Sequence, residues 1–420
     1  MKLTPILVTL VLMVPCVTPK EAHMPFFVFE GSWFEMGRQY GENCTHIEEV
    51  YDSIIGSWKN SGLSMETLKE DVELYRHYVD AEKEISDFMR GIAARLEGDE
   101  MFSEYEKVII INSGFEILWL NEWHQSKKLC TAMGAFGEAT KNDHTIVGLN
   151  RDLPYHPFSH QIAYVLKPES GQKIFGTVTE GQVASNFQVN SDRLFVGAVK
   201  VLGDWSPENG VRECAYGLPS VAVMLKLSMC NDVDEALSVL EETPVTQGMN
   251  YMLAEPSKCA VVEKLPFHYA VREAEGSVIA LTNQMRADHS YESGRKTNVP
   301  MNERIHQDDE FVIEAGESCY WSTYWALMNR YGDISPATWM NTISRMDYCY
   351  DENGSVIREK DGVPVLEAGL TVEYQYYDEG ELTDGTVASH CCDLDTLEIY
   401  WVQGLPSTHH QWQKVDLDRI

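Results

Sequence analysis

A cysteine and an aspartate, Cys130 and Asp152, are the residues whose types and spacing best suit nucleophilic chemistry in this chain. Cys130 opens an apolar stretch, and a turn-rich run from Gly137 to Asp143 separates it from a second stretch that ends at Asp152. This order predicts a hairpin that returns the Asp152 carboxylate to the Cys130 sulfur. A buried cysteine is usually inert, whereas one that begins a strand beside an acid can act as a nucleophile. On this local pattern alone, a structural cysteine is the simpler interpretation.

Further segments place this pair within a wider pattern. Cys130-Thr131, followed by Gly148 and then by Asn150 and Asp152, resembles the N-terminal-nucleophile cysteine hydrolases related to the acyl-coenzyme A:6-aminopenicillanic acid acyltransferase (isopenicillin N acyltransferase). The other segments that resemble this family lie at 31–41, 112–117, 250–255, 282–284, 386–389 and 397–404. The resemblance covers roughly residues 28–404. It implies an α+β fold, the four-layer αββα sandwich of the N-terminal-nucleophile hydrolases.

The periodicity of apolar residues indicates which elements position the two residues. Residues 33–126 have helical spacing, and the texture changes to strands after Cys130. The elements expected later are helices within 221–240, strands within 249–282, helices at about 301–313, 320–331 and 336–344, an acidic turn-rich excursion at 350–385 and two closing strands. Helices and strands grouped in this way predict antiparallel sheets covered by helices rather than a repeated βαβ unit.

The resemblance also implies that the chain cuts itself. The nucleophile must become an amino terminus, because its freed α-amino group, with a reference pKa of about 7.7–8.0, serves as the general base. We therefore expect cleavage between Leu129 and Cys130, although the family often has glycine where Leu129 stands. The expected parts are a candidate signal peptide at 1–23, a helical pro-segment or small subunit at 24–129 and a catalytic αββα domain at 130–420. The two fragments of the cut precursor are expected to stay associated.

The same resemblance assigns roles to three more polar residues. Asp152 positions the amino group and the thiol, and the Asn283 amide donates to the oxyanion. Either residue also suits an ordinary turn at a strand end. The late arginine of the family corresponds by spacing to Arg345, and Arg295 and Arg304 compete for that role.

A second arginine position departs from the family. In the bile-salt hydrolase relatives an arginine directly follows the glycine of the Gly-x-Asn-x-Asp motif, and here that position holds Leu149. Arg151 lies two residues further on and shares the face of Leu149 on a regular strand, but it is nearer the tip. The sequence therefore gives little support for a guanidinium in that role.

The composition excludes several classes of function. A net charge of −32, without a basic stripe, argues against nucleic-acid binding.

The apolar run from Leu3 to Val14 resembles a signal peptide, and no apolar stretch approaches the about 20 residues that a membrane span needs. We expect secretion or a periplasmic location, with Met24 as the start of a cytoplasmic form in the alternative. The ten cysteines are scattered without Cys-x-x-Cys pairs, and neither a metal nor a cofactor is expected.

The sequence therefore predicts a self-processing cysteine amidohydrolase or acyltransferase that acts on a small linear amide or an acyl thioester through an acyl-enzyme on Cys130. Two alternatives remain open. A cysteine peptidase would need a histidine partner, and none of the 13 histidines stands in a recognisable signature. A secreted binding protein could keep the fold without the chemistry, and Leu129 and Leu149 favour that interpretation.

Overall fold

Strand-forming and helix-forming segments follow one another in blocks, and a computed structural model gives their bounds. It describes residues 23–121, 130–154, 160–201, 217–266, 268–274, 276–283, 286, 310–345, 349–357, 359–360, 363–364, 375–378, 381–407 and 411–420. The helices are α1 (Trp33–Asn43), α2 (Ile47–Asn60), α3 (Met65–Asp80), α4 (Lys83–Ala93), α5 (Glu104–Asn121), α6 (Ser220–Ser228), α7 (Val233–Glu242), α8 (Glu310–Met328) and α9 (Pro336–Asn341), with short 3-10 helices at Ile343–Arg345 and Leu417–Arg419.

The strands are named in the same way, in chain order. They are β1 (Phe26–Gly31), β2 (Thr131–Gly137), β3 (Asp143–Pro154), β4 (Gln161–Pro168), β5 (Ile174–Thr179), β6 (Phe187–Asn190), β7 (Phe195–Lys200), β8 (Met249–Glu255), β9 (Lys258–Leu265), β10 (His268–Glu273), β11 (Val278–Leu281), β12 (Cys349–Tyr350), β13 (Val356–Ile357), β14 (Glu359–Lys360), β15 (Val363–Pro364), β16 (Gln375–Asp378), β17 (Glu381–Asp393), β18 (Glu398–Gln403) and β19 (Gln413–Asp416).

Two large sheets organise the strands. The first sheet has eight strands in the order β1-β4-β5-β6-β7-β8-β9-β10, and the second has the order β11-β2-β3-β17-β18-β19, with β16 also paired to β17. Every pair is antiparallel except β1 with β4, where the register runs from Phe26 opposite Ala163 to Gly31 opposite Pro168. The described residues before Cys130, 23–121, therefore supply an edge strand of the first sheet as well as five helices.

Three hydrophobic cores separate four layers. The first core joins the helices to the first sheet and contains Trp58, Phe88 and Tyr164. The second lies between the sheets, and the third lies between the second sheet and α8 and α9, where Trp339 is buried. Since each sheet is covered by helices on its outer face and by the other sheet on its inner face, the predicted αββα sandwich is confirmed.

The cores also show how neighbouring residues divide between layers. Cys391 belongs to the outer core beside α8 and α9, while Cys392 belongs to the core between the sheets. Adjacent residues of a strand point to opposite faces, as the sequence predicts here. Gly148 occupies a position where a side chain would not fit, since a Cβ atom there would lie 2.2 Å from the Trp339 ring. This packing explains the glycine of the Gly-x-Asn-x-Asp motif.

The region before the last strands differs from the sequence prediction. Helices were expected at about 301–313 and 320–331, but Glu310–Met328 is one continuous helix and residues 301–309 lie outside the described part. A glycine inside a helix costs only about 1 kcal/mol, so Gly316 does not end it. Within the segment expected to be turn-rich, β16 pairs with β17. No helix in the described part of the chain is long and apolar enough to cross a membrane.

Candidate active site

Cys130 begins the hairpin that the sequence predicted. The β2–β3 register places Thr131 opposite Asn150 and Ala132 opposite Leu149. At the open end of this hairpin, the Cys130 sulfur lies 3.4 Å from the carbonyl oxygen of Asp152 and 3.3 Å from its backbone nitrogen. The antiparallel ladder thus returns Asp152 to the thiol from 22 residues away.

The Asp152 carboxylate is fixed by the neighbouring strand. Asp152 is fully buried, and its Oδ1 accepts a 2.6 Å hydrogen bond from the Thr386 hydroxyl of β17. Thr386 also pairs with Asp152 in the β3–β17 ladder. The position of the carboxylate is therefore fixed both by the pairing of the two strands and by the Thr386 hydroxyl. The Asp152 carboxylate on β3 is thus held in place at the end of the hairpin where Cys130 lies. Leu129, on the other side of the expected cleavage point, lies outside the described residues.

Asn283 also lies next to Cys130, on the side of β2 opposite to β3. The β11–β2 register runs from Val278 opposite Ala135 to Leu281 opposite Ala132, and continuing it by two residues places Asn283 opposite Cys130. Asn283 is buried, and its Nδ2 donates a 2.6 Å hydrogen bond to the Lys200 carbonyl. An amide nitrogen carries two hydrogens, so one N–H remains for a substrate oxygen.

Arg151 completes a row of side chains across the second sheet. It pairs with Ala388 on one side and, by continuation of the β2–β3 register, lies opposite Cys130 on the other. Leu149, two residues earlier, is in the core between the sheets, so Arg151 points into that layer as well. Its Nη2 lies 3.4 Å from Gln182 Oε1. Asn283, Cys130 and Arg151 therefore occupy neighbouring positions on β11, β2 and β3.

The electrostatics of this row are those of a buried charge near a sulfur. Burial lowers the pKa of Arg151 to about 10, and the negative charge of a Cys130 thiolate acts in the opposite direction. A guanidinium with a pKa near that value stays charged at neutral pH. It is thus a source of positive potential in the layer that contains the thiol. The sequence placed Arg151 near the tip of the hairpin, and the two-residue spacing from Leu149 was the signal for its inward direction.

Arg345 lies on the other face of the second sheet. The Ser344 carbonyl accepts a 3.0 Å hydrogen bond from Asn150 Nδ2, and Asn150 is one residue from the inward-pointing Arg151. No hydrogen bond described in the structure joins the Arg345 guanidinium to Cys130, Asp152 or Asn283. Its role stays a prediction, as do those of Arg295 and Arg304, which lie outside the described residues.

His390 occupies the layer between the sheets but is already engaged. Its Nε2 lies 2.7 Å from the Thr177 hydroxyl, and its Nδ1 lies 3.3 Å from the Leu149 carbonyl. Burial lowers the pKa of His390 to about 3, so it is neutral. A neutral imidazole with both nitrogens hydrogen-bonded has no lone pair available to accept a thiol proton.

One cluster in the described part of the chain has ligand types that a metal ion could use. Ligand atoms of His144, Asp393 and Asp395 lie within 4.8 Å of one another. However, His144 Nδ1 is 2.8 Å from an Asp393 oxygen, and an Asp395 oxygen accepts a 2.6 Å bond from the Thr145 nitrogen. These contacts are those of an ion pair and of a side chain that accepts a hydrogen bond from a neighbouring strand.

Comparison with known proteins gives a distant likeness. No protein-family model and no curated protein matches this chain. Among solved structures, it is similar to a variant of conjugated bile acid hydrolase from Clostridium perfringens, with 13% identity, a TM-score of 0.41 and coverage of 69% of this chain and 93% of that one. Penicillin V acylase from Agrobacterium tumefaciens has 12% identity, a TM-score of 0.40 and coverage of 69% and 87%.

A third solved structure is the Caenorhabditis elegans ortholog of N-acylethanolamine-hydrolyzing acid amidase. It has 12% identity and a TM-score of 0.37, with coverage of 68% of this chain and 100% of that one. The four layers of the present chain follow from its own three hydrophobic cores.

Proposed function

We propose that this protein is a self-processing cysteine amidohydrolase or acyltransferase of the N-terminal-nucleophile type. Its substrate is a linear amide or an acyl thioester, and the acyl group passes through a thioester on Cys130. The observation that carries the proposal is the row Asn283, Cys130 and Arg151 on three adjacent strands, with the backbone of Asp152 against the sulfur. The row supplies a nucleophile, an oxyanion donor and a positive charge, and Asp152 next to it supplies an acid.

Self-processing is the first reaction in this scheme. The Cys130 thiol attacks the Leu129 carbonyl, and the acyl group moves from nitrogen to sulfur. Water then hydrolyses the thioester, which leaves a carboxylate on Leu129 and a free α-amine on Cys130. Asp152, held by Thr386, orients the new amine.

Substrate turnover uses the same groups. The α-amine takes the thiol proton, and the thiolate attacks the substrate carbonyl while Asn283 donates to the oxyanion. The leaving amine receives the proton and departs, and the acyl-enzyme is resolved by water in hydrolysis or by a second amine in transfer.

The fragment that ends at Leu129 remains bound in this scheme. Its strand β1 pairs with β4 over six residues, and the Ala163 nitrogen bonds to the Pro25 carbonyl. Its helices share the first hydrophobic core with the first sheet. Exposure of that core would cost far more than a surface contact does, since apolar burial contributes about 25 cal/mol per Å².

N-terminal sequencing and intact mass of the purified protein test the proposal. We expect one fragment that ends at Leu129 and one that begins at Cys130, with both eluting together in gel filtration. The Cys130→Ala variant should remain a single chain, whereas Cys259→Ala, which removes another buried thiol, should be cut normally. Cleavage that persists in Cys130→Ala would point to a contaminating protease. A wild-type protein that stays uncut and forms no acyl-enzyme would favour the binding protein without catalytic activity.

A further inference from the structure

Two polar residues of the first sheet face the row around Cys130. Asn250 on β8 and Glu263 on β9 are directly paired in the ladder, and both are fully buried. On β9, Cys259 and Val261 belong to the core between the sheets, so Glu263, two residues further on, points into the same layer. A carboxylate in such a layer is costly unless it is hydrogen-bonded. The hydrogen bonds of Asn250 and Glu263 therefore indicate the role of this buried pair.

Each residue makes a hydrogen bond to the segment that carries Asn283. Asn250 Nδ2 donates a 2.9 Å hydrogen bond to the Thr282 carbonyl, and the Arg286 nitrogen donates to Glu263 Oε1. One bond thus lies just before Asn283 in the chain and the other lies three residues after it. Between them, the Asn283 side chain itself donates to the Lys200 carbonyl at 2.6 Å.

These bonds come from three adjacent strands of one sheet. Lys200 on β7 pairs with Met249, the neighbour of Asn250, and Asn250 pairs with Glu263. The first sheet therefore makes three hydrogen bonds to the segment that follows β11, while the second sheet contains Cys130. An oxyanion donor works only when its N–H is held where the substrate oxygen will develop charge. The first sheet determines that position.

We propose that Asn250 and Glu263 are positioning residues, which hold the backbone on either side of Asn283 so that its amide faces the carbonyl attacked by Cys130. The inference rests on the proposed function, because it assigns Asn283 to the oxyanion. Each of the two residues acts through Asn283, and its loss should affect reactions that pass through an oxyanion and spare those that do not.

Two reagents for Cys130 separate these cases in the wild-type, full-length protein. Acylation by p-nitrophenyl butyrate passes through a tetrahedral oxyanion, whereas alkylation by iodoacetamide is a direct displacement without one. We expect Asn250→Ser and Glu263→Ala to slow acylation by about tenfold or more, since small misplacements of catalytic groups have large effects. Alkylation of Asn250→Ser should stay within about twofold, because this change leaves the thiol and the local charges unaltered. Glu263→Ala removes a carboxylate, so its alkylation rate is compared with that of Glu263→Gln, which removes the same charge.

Two further variants make the test specific. Glu263→Gln keeps an oxygen that accepts the Arg286 N–H, so it should restore acylation to near the wild-type rate. Asn190→Ala is the matched control, because Asn190 is equally buried in the first sheet but bonds to the Ser228 and Cys230 carbonyls instead. It should lower stability and leave the acylation rate per alkylatable thiol unchanged.

Combination with Asn283→Ala distinguishes the possible failures. If Glu263 acts through Asn283, adding Glu263→Ala to Asn283→Ala should slow acylation no further. Additive losses, or normal acylation in both Asn250→Ser and Glu263→Ala, would overturn the positioning role while Asn283 keeps its own. If Glu263→Ala does not fold, Asn250→Ser decides the matter alone. Wild-type protein that is alkylated but never acylated at Cys130 would instead overturn the proposed function and this inference with it.

Discussion

The layer between the two sheets contains an apolar region and a polar region, and each has buried cysteines. Cys259 is 4% exposed and Cys130 is 6% exposed, so burial does not distinguish them. Burial raises the pKa of the Cys259 thiol far above its ordinary value, and it does the same at Cys392. Cys130 instead lies between Asn283 and Arg151. Neighbouring groups, rather than depth of burial, therefore distinguish a candidate nucleophile from a structural thiol.

The polar region arises from where the strands end. β2 begins just after Cys130, β3 ends just after Asp152, and β11 ends just before Asn283. These three strand ends lie side by side at the same end of the second sheet, because the strands are antiparallel neighbours. Further along the same strands, the layer is filled by apolar side chains such as Ala132 and Leu281.

Replacing cysteines one at a time should give the largest difference between the regions. We expect Cys130→Ala to abolish acylation by p-nitrophenyl butyrate, a loss on the order of 10³-fold or more, because no other group can carry the acyl chain. Cys259→Ala and Cys392→Ala should keep the acylation rate and lose only stability. The measurement is release of p-nitrophenol with mass analysis of the acylated peptide. Acylation at Cys259 in the native protein would show that a thiol in the apolar region can also act as a nucleophile.

The next largest effect is expected at the oxyanion donor. Asn283→Ala should lower turnover by about 10²–10³-fold without unfolding the protein, as the loss of one donor does in other acyl-transfer sites. Initial rates and thermal melting of the variant check both parts. Asn190→Ala, in the same sheet as Asn250, serves as the control. If turnover were unchanged on a verified substrate, Asn283 would be an ordinary turn residue.

A buried acid, Glu116, lies in the first core, between the helices and the first sheet. Glu116 on α5 accepts hydrogen bonds from the Ser220 nitrogen at 2.6 Å and from Gln247 Nε2 at 3.2 Å, and so caps α6. Burial nevertheless raises the pKa of Glu116 from 4.5 to about 7. The folded protein therefore holds a proton that the unfolded chain loses between these values.

This shift fixes the sign of a pH effect on stability. Since the folded state binds more protons between about pH 4.5 and 7, stability should fall as pH rises through that window and level off above it. Glu116→Gln lacks this titration, so its melting temperature should rise relative to wild type over the same window. The full difference corresponds to roughly 3 kcal/mol. The exposed Glu242→Gln is the control, and a difference that does not change with pH would show that Glu116 does not titrate there.

The sequence and the structure agree where local patterns determine position. Turn residues between two apolar runs predicted the hairpin from Cys130 to Asp152, and an apolar strand placed Asn283 at its end. Contacts between sheets could not be predicted, because no local pattern shows which residues of β8 and β9 face β11. For the same reason Asn250 and Glu263 were not singled out as part of the site. The direction of Arg151 needed the register of β3, which fixes the face that each residue occupies.

The smallest effect is expected from replacing Arg151, whose charge distinguishes the polar region around Cys130 from the apolar region around Cys259. If its charge favours the Cys130 thiolate, Arg151→Met should shift the pH dependence of iodoacetamide alkylation upward, since the loss of an opposite charge at short range disfavours the ionised form. The methionine fills similar space, so packing against Gln182 should change little. Arg151→Lys keeps the charge and should keep the wild-type curve. An unchanged curve in Arg151→Met would mean that the polar region differs from the apolar one through its hydrogen bonds alone, with no contribution from the guanidinium.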